Sequence, residues 1–179
     1  MRPRTLKSAS ERGDLDAVQH HLSKGAKINA TTAAGHFALG GAIIHRHPHV
    51  VEYLIASGAD IDQKSEYAWT PLYLAAWVGS AECTALLLLA GAKINTKTRG
   101  GWNSPGGYSP LHIAAKSGRL AIVMLLVGAG AEVEARDDSS ETALDMAIES
   151  GHTSIVRFLK NLAAPGSRRN KAALPRSRH

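Results

Sequence analysis

Three histidines crowd into one pentapeptide, His45-Arg46-His47-Pro48-His49, and the chain carries a single thiol, Cys83. Imidazoles and thiolates are the side chains from which zinc sites and nucleophiles are built. Their setting argues against both uses. Zinc needs three or four ligands converging on a point, each oriented by a second partner, and no cysteine neighbours the pentapeptide. The lone cysteine excludes an internal disulfide and fits a reducing compartment; its expected role is that of a small buried hydrophobe. Nor does the chain contain a phosphate-cradling glycine loop, a nucleophile elbow or a zinc-protease spacing. No catalytic residue, metal or cofactor is expected, and the protein is read as a non-enzyme. What remains is recognition chemistry. Of nine Phe, Trp and Tyr residues, five (Tyr67, Trp69, Trp77, Trp102 and Tyr108) cluster mid-chain, and Trp and Tyr dominate binding hot spots because they bury much area at little entropic cost.

A repeat must hold these residues in place. Gly-Ala recurs at 25–26, 58–59, 91–92 and 130–131, with spacings of 33, 33 and 39 residues. Leu39, Leu72, Leu111 and Leu144 keep the same rhythm, and both series place six extra residues between the third and fourth units. A fixed period near 33 is the mark of a stacked array, in which each unit buries its apolar face only against its neighbours. Within a unit, Thr-Pro opens a first helix, glycine turns the chain, and apolar pairs such as Ile122-Val123 followed by Leu126 line one face of a second helix. Gly-Ala then ends that helix. The predicted helices span 6–12 and 14–23, 38–45 and 48–56, 71–77 and 81–89, 110–116 and 120–128, and 142–149 and 152–161. Arg46 stands where the other units have glycine, so its turn is predicted to be strained. The terminal units are expected to be polar outside, the first through residues such as Asp14 and His21, the last through Arg157, Lys160 and Asn161.

Thr70-Pro71-Leu72-Tyr73-Leu74-Ala75-Ala76 and Ser109-Pro110-Leu111-His112-Ile113-Ala114-Ala115 resemble the Thr-Pro-Leu-His-x-Ala-Ala signature of ankyrin repeats; Thr142–Ala147 and Phe37–Ala42 are weaker copies. The resemblance covers residues 5–162 as units 5–30, 31–63, 64–96, 97–135 and 136–162. It implies an all-α ankyrin-repeat solenoid of stacked helix-turn-helix units with β-hairpin loops, acting as a protein-binding adaptor. In that family partners meet the hairpin tips and the exposed side of the inner helices. Carried onto this chain, those positions are Glu66, Tyr67, Trp69, Trp77 and Val78 in the third unit. Trp102 and Tyr108 belong to the insertion, and Asp138 and Glu141 form an acidic flank in the fifth unit. His47 and His112 fall on the family's structural histidine positions. A more distant implication is a methyl-lysine cage built from Tyr67, Trp69, Trp77 and Glu66.

The insertion Arg99–Gly107 holds four glycines and a proline, which reads as a mobile loop. The net charge of +6 resides at the chain ends: residues 8–166 contain 13 Lys/Arg against 15 Asp/Glu. Residues 1–4 form a basic end, and 163–179 read as a basic, disordered tail. Nucleic acid is therefore a partner only through that tail, while the stack suits a protein or peptide with a basic segment. No apolar run is long enough for a membrane span, and no secretory signal follows Met1-Arg2-Pro3-Arg4. A monomer in the cytoplasm or nucleus is expected.

Overall fold

The computed structural model describes residues 5–33, 35–100 and 106–163. The basic end 1–4, the tail from 164 onward and Trp102 lie outside the described residues. Among the described residues ten helices form five pairs: α1 (Leu6–Arg12) with α2 (Leu15–Ser23), α3 (Ala38–Ile44) with α4 (Pro48–Ala56), and α5 (Pro71–Val78) with α6 (Ala81–Leu89). The last two pairs are α7 (Pro110–Lys116) with α8 (Leu120–Gly128) and α9 (Ala143–Glu149) with α10 (Thr153–Ala163). Odd-numbered helices pack in sequence as an inner layer, and even-numbered helices as an outer one. Among the described residues no helix is long and apolar enough to cross a membrane.

Helix starts differ from the expected ones by a residue where the cap itself had been counted. Asp14 and Thr142 have non-helical backbones and cap from outside, their side chains accepting the amide N–H of Ala17 and Asp145. Thr70 and Ser109 do the same for α5 and α7, each with proline in the first turn. Removing such a cap typically costs about 1 kcal/mol.

Small residues allow the inner helices to approach closely. Ala9, Ala42, Ala75, Ala114 and Ala147 form one column through the five units, each 0% exposed. Leu54, Leu87, Leu126 and Leu159 form the matching column of the outer layer, at most 1% exposed. Cys83 sits in this core, fully buried, as the small hydrophobe expected.

The loops between units are narrower than a β-hairpin ladder. Ser65 N–H donates to the Trp69 carbonyl (3.1 Å), and Asp137 N–H donates to that of Glu141 (3.0 Å). Among the described residues the one β-bridge joins Thr31 and Phe37. The returning arm runs at once into a helix cap, Thr70 in the third unit and Thr142 in the fifth, so pairing ends after one step. Gly35, Ala68, Gly107 and Ser140 occupy the same place in successive tips, all with positive φ. The insertion leaves this closure intact: Thr98 N–H donates to the Tyr108 carbonyl (3.0 Å) and Gly107 N–H to that of Thr98 (2.9 Å).

The helix–turn–helix corners interlock between units. Gly13, Gly79, Gly118 and Gly151 adopt positive φ, and Arg46 does so as well, at 57°. A Cβ at Gly13 would lie 2.6 Å from His47, one at Gly79 2.6 Å from Arg119, and one at Gly118 2.7 Å from His152. Each large side chain thus rests in the notch left by the preceding unit's glycine. Ser80 holds the equivalent place in the third unit, after Arg46 rather than glycine. A small residue follows the bulky corner.

Candidate functional site

The aromatic cluster is built by one hairpin and one inner helix. Ser65 opens the hairpin and its Oγ accepts the Trp69 N–H (3.2 Å), which fixes the returning arm. Ala68, at φ 57°, reverses the chain between Tyr67 and Trp69. Trp77 projects from the last turn of α5. The Trp69 ring lies 5.5 Å from Tyr67, 5.7 Å from Tyr73 and 5.7 Å from Trp77, spacings typical of favourable aromatic pairs. Tyr67 is 46% exposed and Trp77 43%, while Tyr73 is buried beneath them at 6%. Burial, followed by the neighbouring Tyr108, pushes the Tyr73 hydroxyl up to about 12, so it is neutral at physiological pH. Glu66 is exposed beside Tyr67, and Val78 is half-buried, its carbonyl accepting from the Arg46 guanidinium.

Trp69 and Trp77 are eight residues apart, and the same offset recurs in each later unit. In the fourth it pairs Tyr108 with Lys116, whose Nζ stands 5.3 Å from the ring centre. In the fifth it pairs Glu141 with Glu149; partial desolvation, then the Glu149 and Asp137 carboxylates, hold the Glu141 carboxyl above its usual range. Along the stack the same pair of positions therefore changes from two indoles to a ring with a lysine, then to two acids. Sequence reading does not single out Lys116; the eight-residue offset is the signal that finds it.

Two expected contacts take a different place. Tyr108 is 7% exposed, with Lys116 lying over its ring, so it supports the surface rather than forming it. Asp138 is exposed but faces the insertion: its N–H donates to the Gly106 carbonyl (3.2 Å). A Cβ on Gly106 would stand 2.5 Å from its carboxylate, and one on Gly107 2.6 Å. The two glycines let the acid close on the loop base. Gly106 and Gly107 at the described end of the insertion are thus buried, while the centre of the expected mobile loop, 101–105, lies outside the described residues.

The histidine pentapeptide joins units together. His47 Nε2 contacts the Glu11 carbonyl (3.1 Å), and His49 Nε2 that of Gly13 (3.0 Å). His112, fully buried, binds Ser109 Oγ through Nδ1 (2.7 Å) and the Glu141 carbonyl through Nε2 (3.2 Å). Burial lowers its affinity for a proton. Among the described residues no three His, Cys, Asp or Glu side chains are grouped to hold a metal. Burial raises the Cys83 thiol above its ordinary value and outweighs the lowering by Ser80, so the thiol inside the core stays protonated.

Comparison with known families matches residues 6–98 to ankyrin repeats (3 copies) and residues 111–159 to ankyrin repeats (many copies). The chain is 31% identical over 93 residues to ankyrin repeat domain-containing protein 37 of Bos taurus, covering 49% of this chain and 56% of that protein. It is 35% identical over 83 residues to the RelA-associated inhibitor of Mus musculus, covering 46% and 10%. Against protein phosphatase 1 regulatory subunit 27 of Mus musculus the figures are 39% over 81 residues, 45% and 53%. The chain thus spans little more than half of these relatives, or far less.

Proposed function

Because the chain belongs to the ankyrin repeat family, whose repeats are protein–protein interaction modules, we propose that it binds a partner protein or peptide through the concave face. The observation that carries this reading is the row Tyr67–Trp69–Trp77, two of whose members remain over two-fifths exposed. Exposed aromatic area that is rigidly seated is the usual centre of a binding hot spot. Since the three rings pack on one another and do not surround an open centre, an apolar anchor fits better than a caged methyl-ammonium.

Glu141 and Glu149 supply negative charge two units away, and this favours a partner with a basic segment. Lys116 lies between, so an acidic group of the partner fits there. The buried thiol suits the cytoplasm or nucleus, and the binding unit is a monomer. Affinity capture from lysate with wild type beside Trp77→Ala tests the site. Loss of about 2 kcal/mol of binding, with an unchanged unfolding midpoint, is expected. Full capture by a folded Trp77→Ala protein overturns the concave assignment, and loss of capture on deleting 167–179 instead transfers the function to the basic tail.

A further inference from the structure

The five units are equivalent in sequence but not in what covers them. Ser10, Ile43, Ala76 and Ala115 occupy one register of the inner helices and are each 0% exposed; Ile148, at the same register in the fifth unit, is 50% exposed. Val18, Val51, Thr84 and Val123 are 0% exposed in the outer helices, whereas Val156 is only partly buried. The corner glycines tell the same story. Gly13, Gly79 and Gly118 lie under His47, Arg119 and His152, while Gly151, with the same positive φ, has nothing within 4 Å among the described residues. Ile148, Gly151 and Val156 floor a groove of about 520 Å³, rimmed by Arg157 and Lys160.

A polar end, as anticipated from Arg157, Lys160 and Asn161, describes the rim only. The floor keeps the socket that is filled by a helix pair between every earlier pair of units. At the opposite end the chain is modified differently. Ala17 and His21 stand where the inner units present Val50, Cys83 or Ile122 and the leucines Leu54, Leu87 and Leu126. The first unit has thus lost the apolar knobs that fill such a socket.

We infer that the C-terminal end face is a second docking surface, distinct from the concave site, for an acidic amphipathic helical segment of a partner protein. Shape comes from the array itself, since the same register is covered by helices in the preceding units. Sign comes from the rim, where Arg157 and Lys160 favour acids flanking the apolar stripe. Three other occupants fit worse. The first unit of a second copy offers Ala17 and His21 in place of apolar knobs. Two C-terminal faces would bring Arg157 and Lys160 against their own copies. Residues 164–179 carry five Lys/Arg and no acid, the same sign as the rim.

Two synthetic peptides of about 18 residues, long enough to hold a helix, test this on the full chain. One has leucine along one face and glutamate on its flanks; the other has lysine for glutamate. The glutamate peptide should shift the backbone amide resonances of Ile148, Gly151 and Val156 and bind at least about tenfold tighter than the lysine peptide. Ile148→Glu should reduce its affinity at least about tenfold, and Trp77→Ala should leave it unchanged, separating this surface from the concave one. Arg157→Glu with Lys160→Glu should reverse the preference between peptides; thermal melts of each variant establish that it folds. Equal binding of both peptides, shifts centred on Tyr67 and Trp77, no binding at millimolar peptide, or self-association of the free chain abolished by Ile148→Glu would each overturn the inference.

Discussion

Gly118 and Gly151 make a matched pair for measuring what one unit contributes by resting on another. Both have φ of 73°, so alanine meets the same backbone strain at each, about 1–2 kcal/mol. The loss of unfolded-state entropy returns about 0.4–1 kcal/mol of this, leaving about 1 kcal/mol common to both. Only Gly118 has a neighbour in the way: its Cβ would stand 2.7 Å from the His152 ring, which is bonded through Nε2 to the Lys116 carbonyl at 3.0 Å. Swinging the ring aside forfeits that bond, about 0.5–1.5 kcal/mol, and holding it in place adds crowding of about 1–3 kcal/mol. Because the cheaper of the two routes governs, Gly118→Ala is expected to cost about 1.5–2.5 kcal/mol and Gly151→Ala about 1 kcal/mol. Urea unfolding at neutral pH, followed by far-UV circular dichroism with m-values compared, reads both directly. Adding His152→Ala to Gly118→Ala should bring the cost of the glycine change down to that at Gly151, a coupling visible in the double-mutant cycle. Equal losses for the two single variants would refute the reasoning, because they would mean either that His152 exerts no constraint or that Gly151 is covered too.

Leu126→Ala, in the fully buried outer column, should cost about 2–5 kcal/mol in the same assay through the cavity it leaves. Ala68→Gly should stabilise by about 0.5–1 kcal/mol, since φ is 57° there and glycine occupies two of the equivalent tips; an unchanged or lower midpoint would count against strain at that turn. His112 has its folded pKa depressed below 6.5 by burial, so its contribution is complete above the unfolded value and is lost as pH falls through the folded one. The wild-type midpoint should decline as pH drops below about 6.5, and His112→Gln should flatten that decline; an identical slope would show the proton uptake to lie elsewhere.

Helix positions, the turn glycines and the buried alanine and leucine columns were legible in the sequence because each depends on chemistry within a few residues or on a period that repeats it. A capping threonine, a proline in the first turn and a left-handed corner act locally, and the 33-residue rhythm multiplies the signal. Even the strained Arg46 could be read from its departure from that rhythm. Exposure could not, because it depends on what the adjoining unit lays over a residue. Trp69 and Tyr108 share a register, yet Tyr108 is buried at 7% beneath a lysine one helix-length away, while Trp69 anchors an open row of rings. Asp138 stays exposed, but two glycines of the insertion bring loop backbone against it, a contact that no local pattern in the sequence shows. Ile148 keeps the period of Ser10, Ile43, Ala76 and Ala115, and only the stack reveals that it is left 50% exposed where they are buried. Sequence determined the unit; the order of stacking decided which faces remain open, since burial belongs to the interface between units and not to either one alone.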